Sequence, residues 1–107
     1  MNRGDLVTVV LQGDFGKPRP ALVVQSDLFH AHSSITVLPI TSTVIDAPLL
    51  RITVQPDAKN SLQAVSQIML DKTMTVKADK VSAPFGKVAS EVMVQVNRGL
   101  ALFLGVV

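Results

Sequence analysis

The sequence predicts a mainly β domain with short helices, of the α+β class, that ends in an amphipathic helix. Short runs rich in β-branched residues recur between residues 5 and 76, and Gly and Pro turn signals separate them. From residue 90 onward, apolar side chains instead recur every three to four positions. A chain of 107 residues suits one hydrophobic core, so we expect a single domain over residues 1–107.

The first predicted elements are two strands joined by a loop. Residues 5–11 (DLVTVVL) predict a strand, and the glycines at 13 and 16 predict a turn. The prolines of the run at residues 18–20 (PRP) fix their own φ and disfavour helix in the residue before them, so this run predicts the end of an exposed loop. Residues 21–25 (ALVVQ) then predict a second strand, and Arg19 is held by stiff backbone on both sides.

The next segment predicts a helical turn and a third strand. Ser26 or Asp27 can cap a short turn over residues 28–30. Residues 35–40 (ITVLPI) are apolar and β-branched enough to predict the strand. The proline near its end lacks an N–H for a neighbouring strand, which predicts an edge strand or a strand exit.

The second half of the chain predicts more sheet and then the helix. Residues 49–54 predict a fourth strand, and residues 67–76 predict one or two more with a bend near Asp71. Ser90 is placed to cap a C-terminal helix, and Gly99 inside it weakens the helix by about 1 kcal/mol relative to Ala. The predicted apolar face of this helix is Val92, Val96, Leu100 and Phe103.

The composition excludes several classes of function. The chain has no cysteine, which removes disulfides, thiolate metal sites and cysteine nucleophiles. It has no Trp or Tyr and four Phe, which disfavours the aromatic platforms of OB-fold or RRM readers of single strands. No apolar run reaches the roughly 20 residues of a membrane span, and the N-terminus is charged, so we expect a cytoplasmic protein with no membrane contact. The net charge of +2 permits a polyanionic partner.

The two histidines suggest two other types of site. His30 and His32 could form a metal pair or a catalytic acid and base, because residues two apart share one face of an extended segment. No third ligand follows at a convincing spacing, and the nearby serines indicate a solvated loop. We therefore predict no metal and no cofactor.

Three blocks of the sequence resemble the MazF/PemK toxins. Residues 3–7 (RGDLV) with residues 16–24 (GKPRPALVV) are similar to the start of that family, residues 38–42 (LPITS) to its P-x-T stretch, and residues 69–76 (MLDKTMTV) loosely to a later strand. The resemblance implies a small curved, partly open SH3-like barrel sheet with a C-terminal helix. It also implies a homodimer that cleaves single-stranded RNA and is neutralised by an antitoxin.

The resemblance also implies site residues. By position, the arginine of the R-P-A motif is Arg19 and the threonine of the P-x-T motif is Thr41, and Asp71 is the aspartate of the third block. These three are the candidate catalytic residues. The candidate RNA contacts around them are Asp14, Lys17, Ser42 and Lys72.

These residue types suit metal-independent RNA cleavage. RNA supplies its own nucleophile, the 2′-hydroxyl, so the protein must supply a base, an acid and positive charge. The guanidinium of Arg19 is always charged and offers a planar fork to two phosphate oxygens. Thr41 suits positioning, because a hydroxyl alone is a poor proton acceptor, and the base is then Asp14 or Asp71.

Two alternatives lead to different functions. The first is a CcdB-like gyrase poison without catalytic residues, to which residues 24–27 (VQSD), 38–40 and 102–106 are similar. That protein uses a tryptophan near the end of its last helix, and this sequence has no tryptophan. The second is an inactive toxin homologue that only binds its antitoxin. The nuclease interpretation agrees best with the R-P-A and P-x-T blocks.

Overall fold

The computed structural model describes residues 1–10 and 17–106, and over these residues the mainly β prediction is confirmed. The described part holds seven strands, two short 3-10 turns at Asp27–Phe29 and Ala78–Lys80, and one α-helix. The strands are β1 (Asp5–Val10), β2 (Pro18–Val23), β3 (Ser34–Thr41), β4 (Arg51–Val54), β5 (Ser66–Met69), β6 (Met74–Lys77) and β7 (Gly86–Lys87), and the helix is α1 (Ser90–Leu104). Leu11 and the predicted turn at residues 13–16 lie outside the described residues.

All the strand pairs are antiparallel. The order across the sheet is β4-β5-β3-β2-β1-β7, and β6 also pairs with β3. The bend predicted near Asp71 is confirmed, since a turn at residues 70–71 separates β5 from β6. The cap predicted at Ser26 is also confirmed, because its side chain accepts a hydrogen bond from the N–H of Leu28.

The prediction that Pro39 marks an edge strand or a strand exit is wrong. β3 is the central strand, with β2 on one side and both β6 and β5 on the other. The carbonyl of Thr36 accepts from Val24 on the β2 side, so the alternate residue Pro39 directs its backbone nitrogen to the other side. There the pairing with β6 ends at Val37 and the pairing with β5 begins at Ile40, so no ladder needs a donor at Pro39.

The second strand begins earlier than predicted. Pro18 and Arg19 belong to β2, where Arg19 lies opposite Val9 of β1. The carbonyl of Val23 accepts from Gly4, beside β1, so every second residue of β2 faces β1, including Arg19. Both flanking prolines therefore turn their missing N–H away from β1, which lets the run of prolines remain in the strand.

Alternating side chains divide the core between the two faces of the sheet. One cluster, under α1, includes Leu6, Leu22, Leu38, Ile68 and Val96. The cluster on the opposite face consists of Val7, Val9, Ala21, Val23, Ile35 and Val37. Since β1, β2 and β3 are each buried on both faces, their sequences are runs of apolar residues rather than strict alternation.

Three expectations about the ends of elements are corrected. The N-cap of α1 is Ala89 without a side-chain hydrogen bond, and Ser90 is the first helical residue rather than the cap. Phe103 is 48% exposed, because the last turn of α1 runs past the core that holds Val96. β4 begins at Arg51 rather than at residue 49, because the carbonyl of Ala47 closes a turn by accepting from Leu50 and Arg51.

No helix within residues 1–10 and 17–106 is long and apolar enough to cross a membrane.

Gly99 lies where α1 touches the turn after β5. A Cβ at this position would lie 2.4 Å from Cδ1 of Leu70, whose side chain is only 2% exposed and has little room to move away. The helix-weakening glycine therefore allows close packing between α1 and the sheet.

We predict that Gly99→Ala destabilises the protein. Overpacking against Leu70 costs about 1–3 kcal/mol, whereas the gain in helix propensity is about 1 kcal/mol. The free energy of unfolding, measured by urea denaturation, should fall by up to about 2 kcal/mol, the difference between these two effects. The control is Val94→Ala on the same helix, where Val94 is 47% exposed and the change should be near zero. A stabilised Gly99→Ala protein would contradict this packing.

Candidate active site

An open groove of about 940 Å³ lies at the end of the sheet where β2 begins and β3 ends. Its lining includes Arg19 and Pro20 of β2, and Thr41 with the following Ser42 and Thr43. Lys72, from the turn between β5 and β6, lines the same groove. The structure thus brings together four of the residues predicted from the sequence, Arg19, Thr41, Ser42 and Lys72.

The strand register places Arg19 and Thr41 close to each other. Ala21 of β2 lies opposite Pro39 of β3. Arg19 precedes Ala21 by two residues and Thr41 follows Pro39 by two, so the antiparallel register continues to an Arg19–Thr41 pair. Residues two apart on a strand point to the same face of the sheet. Arg19 and Thr41 therefore both lie on the face that carries the side chains of Ala21 and Pro39.

The hydroxyl of Thr41 is oriented by its own turn. Its Oγ1 accepts a hydrogen bond of 3.1 Å from the N–H of Thr43. Because that contact uses the oxygen as an acceptor, the hydroxyl proton remains to be donated to a group in the groove. Thr41 is therefore arranged as a hydrogen-bond donor.

The described charges of the groove favour an anion. Among its lining residues that the structure describes, the titratable side chains are Arg19 and Lys72, and both are cationic. Both residues are also exposed. A guanidinium and an ammonium beside strand-end hydroxyls form a surface suited to a phosphodiester.

Two other predicted residues, Lys17 and Asp71, are not in the described lining of the groove. Lys17 is exposed just before β2, and Asp14 lies outside the described residues. Asp71 is half-buried in the turn after β5 and does not line the groove. One oxygen of its carboxylate, Oδ1, is buried without a hydrogen-bond partner among the described residues.

The histidines lie away from the groove, in the loop between β2 and β3. Nδ1 of His30 is 3.0 Å from the carbonyl oxygen of Asp27, and both histidines are exposed. Over residues 1–10 and 17–106, no group of three His, Asp or Glu side chains is gathered as metal ligands would be.

Sequence reasoning missed Gln67, which lies opposite Thr41 in the register of β5 and β3. Gln67 is only 3% exposed, yet its amide has several hydrogen bonds. Its Oε1 accepts from the N–H of Ile45 at 3.1 Å and from Nη1 of Arg51 at 3.0 Å. Its Nε2 donates to the carbonyl of Ile45 at 3.0 Å and to Oγ1 of Thr53 at 3.1 Å.

These contacts hold the segment that follows Thr41. Gln67 binds both backbone groups of Ile45, and Nη1 of Arg51 also donates to the carbonyl of Thr43 at 3.2 Å. The strand end that carries Thr41 is thus fixed on the side of β4 and β5. The sequence offered one weak signal, a Gln between Ser66 and Ile68 in a predicted strand, and nothing in it indicated burial or partners.

We predict that Gln67→Leu loosens this segment. The leucine leaves both backbone groups of Ile45 without their buried partner, which costs about 1–3 kcal/mol each when they stay unpaired. Amide hydrogen exchange at Ile45 should become faster by at least tenfold. The matched control is Thr53→Ala, which removes another partner of the same amide and should leave exchange at Ile45 nearly unchanged. Equal effects of the two variants would contradict the assigned contacts.

Comparisons with known proteins bear on this site. A family model described as PemK-like, MazF-like toxin of type II toxin–antitoxin systems matches residues 2–104. A protein of Mycolicibacterium smegmatis named probable endoribonuclease MazF is 43% identical over 107 residues, which cover 99% of this chain and 98% of that protein.

Solved structures show the same fold. An endoribonuclease from mycobacterial species in complex with its cognate antitoxin has a TM-score of 0.82 at 21% identity, over 98% of this chain and 95% of that chain. The Mycobacterium tuberculosis toxin MazF-mt6 has a TM-score of 0.80 at 22% identity, over 94% and 96%. MazF in a MazE–MazF crystal from Deinococcus radiodurans has a TM-score of 0.77 at 20% identity, over 98% and 96%.

These matches confirm the MazF-like fold expected from the sequence and do not favour the CcdB-like alternative. The family match covers all three blocks that carried the resemblance, and the relative from M. smegmatis aligns over nearly its whole length. This chain belongs to the PemK-like, MazF-like toxins of type II toxin–antitoxin systems.

Proposed function

We propose that this toxin is an endoribonuclease that cleaves single-stranded RNA in the groove containing Arg19 and Thr41. One observation carries the proposal: the guanidinium of Arg19 and the hydrogen-bond-donating hydroxyl of Thr41 lie opposite each other in one groove, whose described charges are all positive. The name of the M. smegmatis relative, probable endoribonuclease MazF, supports the same activity.

The proposed reaction uses the 2′-hydroxyl of the RNA as nucleophile. Its oxygen attacks the adjacent phosphorus, the bond from phosphorus to the 5′-oxygen breaks, and the products carry a 2′,3′-cyclic phosphate and a 5′-hydroxyl. The proton of the 2′-hydroxyl passes to a base, and the departing 5′-oxygen takes up a proton. Arg19 stabilises the charge that builds on the phosphoryl oxygens, and Thr41 donates a hydrogen bond that positions the phosphate.

The base that accepts the 2′-hydroxyl proton is proposed to be a residue that is not in the described lining of the groove. Of the two carboxylates predicted from the sequence, Asp71 is not among the residues that line the groove. Asp14 is the remaining candidate, and Lys17, Ser42 and Lys72 are proposed to contact the RNA backbone. The proposed reaction uses no metal or cofactor: the RNA supplies the nucleophile, a carboxylate takes up its proton, Arg19 stabilises the charge, and water supplies the proton that the 5′-oxygen takes up.

We also propose a homodimer. Leu49 and Leu102 are 68% and 60% exposed and line one depression together with Arg98, where α1 meets the turn before β4. Exposed apolar side chains gathered in this way favour an interface, and most soluble homo-oligomers are twofold symmetric. We propose that residues 1–107 act as one toxin domain and that the protein acts in the cytoplasm.

The proposed inhibitor is an antitoxin with a segment that occupies the groove. The mycobacterial endoribonuclease with a similar fold was solved with its cognate antitoxin. An acidic, disordered tail that folds on binding would suit a groove whose described titratable side chains are cationic.

We predict that Arg19→Ala abolishes RNA cleavage. Loss of a charged donor at the phosphorane should lower kcat on the order of 100- to 1000-fold, by analogy with oxyanion-hole donors. The purified dimer is incubated with a long single-stranded RNA in EDTA, and the ends are mapped. Wild type should give 2′,3′-cyclic phosphate and 5′-hydroxyl ends, and should leave the DNA of the same sequence intact.

The control for lost charge is Lys80→Ala, an exposed residue outside the groove lining, which should cleave as wild type does. A gyrase supercoiling assay runs in parallel. Uncut RNA with trapped gyrase, or unchanged cleavage by Arg19→Ala, would overturn the proposed function.

We predict that Asp71→Asn retains cleavage. Because Asp71 does not line the groove, the kcat of the Asp71→Asn variant should stay within about threefold of the wild-type value. Asp14→Asn, tested in the same assay, should lose activity. A loss above tenfold for Asp71→Asn, with its melting temperature unchanged, would assign the base to Asp71 instead.

A further inference from the structure

One part of the groove lining has no charged side chain, and we call it the apolar side. It is formed by the loop at residues 61–64 and by Phe85, the residue just before β7. Leu62 and Ala64 of this loop line the groove together with Phe85, and the exposed Ser61 and Gln63 add a hydroxyl and an amide. Of the three described phenylalanines, Phe85 is the one in this groove, since Phe29 and Phe103 do not line it.

The loop is held by a buried asparagine. Asn60 is 1% exposed, and its Nδ2 donates to the carbonyl of Gln55 at 2.9 Å. Its Oδ1 accepts from the N–H groups of Asp57 at 3.0 Å and Leu62 at 2.9 Å. Ser61 between them has φ 55°, a left-handed conformation that non-glycine residues adopt rarely. These contacts fix the direction in which the loop presents its side chains.

Phe85 is fixed beside this loop by its neighbour Gly86. A Cβ at Gly86 would lie 2.6 Å from the carbonyl oxygen of Asn60, so only glycine permits the backbones to approach this closely. The N–H of Lys87 donates to the carbonyl of Lys59 at 3.0 Å, and the N–H of Phe85 donates to Leu6 of β1 at 2.9 Å. Phe85 is 36% exposed on the groove side of this junction.

The apolar side lies at a useful distance from Arg19. β1 has β2 on one side and β7 on the other, so Phe85 and Arg19 flank the same strand. Two strand spacings amount to roughly 10 Å, and the three residues of β1 from Leu6, which accepts from Phe85, to Val9, opposite Arg19, add roughly 10 Å along the strand. The two backbone positions are therefore roughly 14 Å apart, and both side chains line the groove between them. A phosphate at Arg19 would therefore leave the base of an adjoining nucleotide within reach of Phe85.

We propose that Phe85 and the loop at residues 61–64 form a binding subsite for one nucleobase next to the scissile phosphate. The base stacks on the ring of Phe85 and packs against Leu62, while Gln63 and Ser61 offer a donor and an acceptor to its edge. The inference rests on the proposed RNA cleavage and deepens it, since it assigns base recognition to a wall of the groove that carries no charge.

The experiment compares Phe85→Ala with wild type on short RNAs of one cleavable sequence. One RNA is intact, and in each of the others a single nucleotide near the cut is replaced by an abasic ribonucleotide that keeps its 2′-hydroxyl. Stacking is worth about 1–3 kcal/mol per base, so Phe85→Ala should lower kcat/KM on the intact RNA by about 5- to 150-fold. On the RNA that is abasic at the recognised position, the two proteins should agree within about twofold.

Three further variants separate stacking from folding. Phe85→Tyr keeps an aromatic face and should retain most activity, whereas Phe85→Leu keeps apolar bulk and should lose it. Phe29→Ala removes an equally aromatic side chain, 59% exposed in the 3-10 turn after β2, and should cleave normally.

The outcomes distinguish this subsite from the activity on which it rests. A wild-type protein that cuts no RNA would overturn the proposed function and this subsite with it. Normal cleavage by Phe85→Ala, or an equal loss on the intact RNA and on every abasic RNA, would overturn the subsite alone.

Discussion

The arrangement of the groove depends on how β3 pairs along its length. On one side β3 is paired with β2, and on the other its partner changes from β6 to β5 between Val37 and Ile40. Pro39 stands at this change with its backbone nitrogen on the side where no ladder needs a donor. Because of this change of partner, β3 pairs with β6 in its first half and with β5 at its end. β3 ends at Thr41, beside the β2 residue Arg19. The groove follows from this pairing.

Much of the fold could be predicted from local sequence. Strands β1 to β6, the 3-10 turn capped by Ser26, the bend near Asp71 and the C-terminal helix follow from patterns within a few residues, whereas the two-residue β7 and the 3-10 turn at Ala78–Lys80 were not predicted. The errors concern proline and the ends of elements. Pro18 and Pro39 are compatible with their strands because of the side to which each missing N–H points, and that side depends on partners far away in the sequence.

The site was predictable in a different way. Arg19 and Thr41 came from resemblance to a family, and the structure places both in one groove. Gln67 and Phe85 carry no local signal, because their surroundings come from distant parts of the chain. Gln67 bonds the segment after Thr41, and Phe85 precedes Gly86, which packs closely on the backbone of Asn60. Asp71 differs from these two, since a motif position suggested chemistry for a residue that is not in the described lining of the groove.

The groove has two physically different parts, and each follows from the sheet. Strand ends supply hydroxyls and a guanidinium, which suit a phosphate, whereas the Asn60 loop and Phe85 supply an apolar wall, which suits a base. A nucleotide likewise has a charged phosphate and a flat, largely apolar base. The two parts of the groove therefore match the two parts of a nucleotide.

The most direct test of the account is a double-mutant cycle of Arg19→Ala and Thr41→Val on cleavage of one short RNA. If both side chains contact the same phosphodiester, the loss of kcat/KM in the double variant falls well short of the product of the two single losses. A double-variant loss equal to that product would show that the two residues act independently, and would contradict a shared phosphate between them.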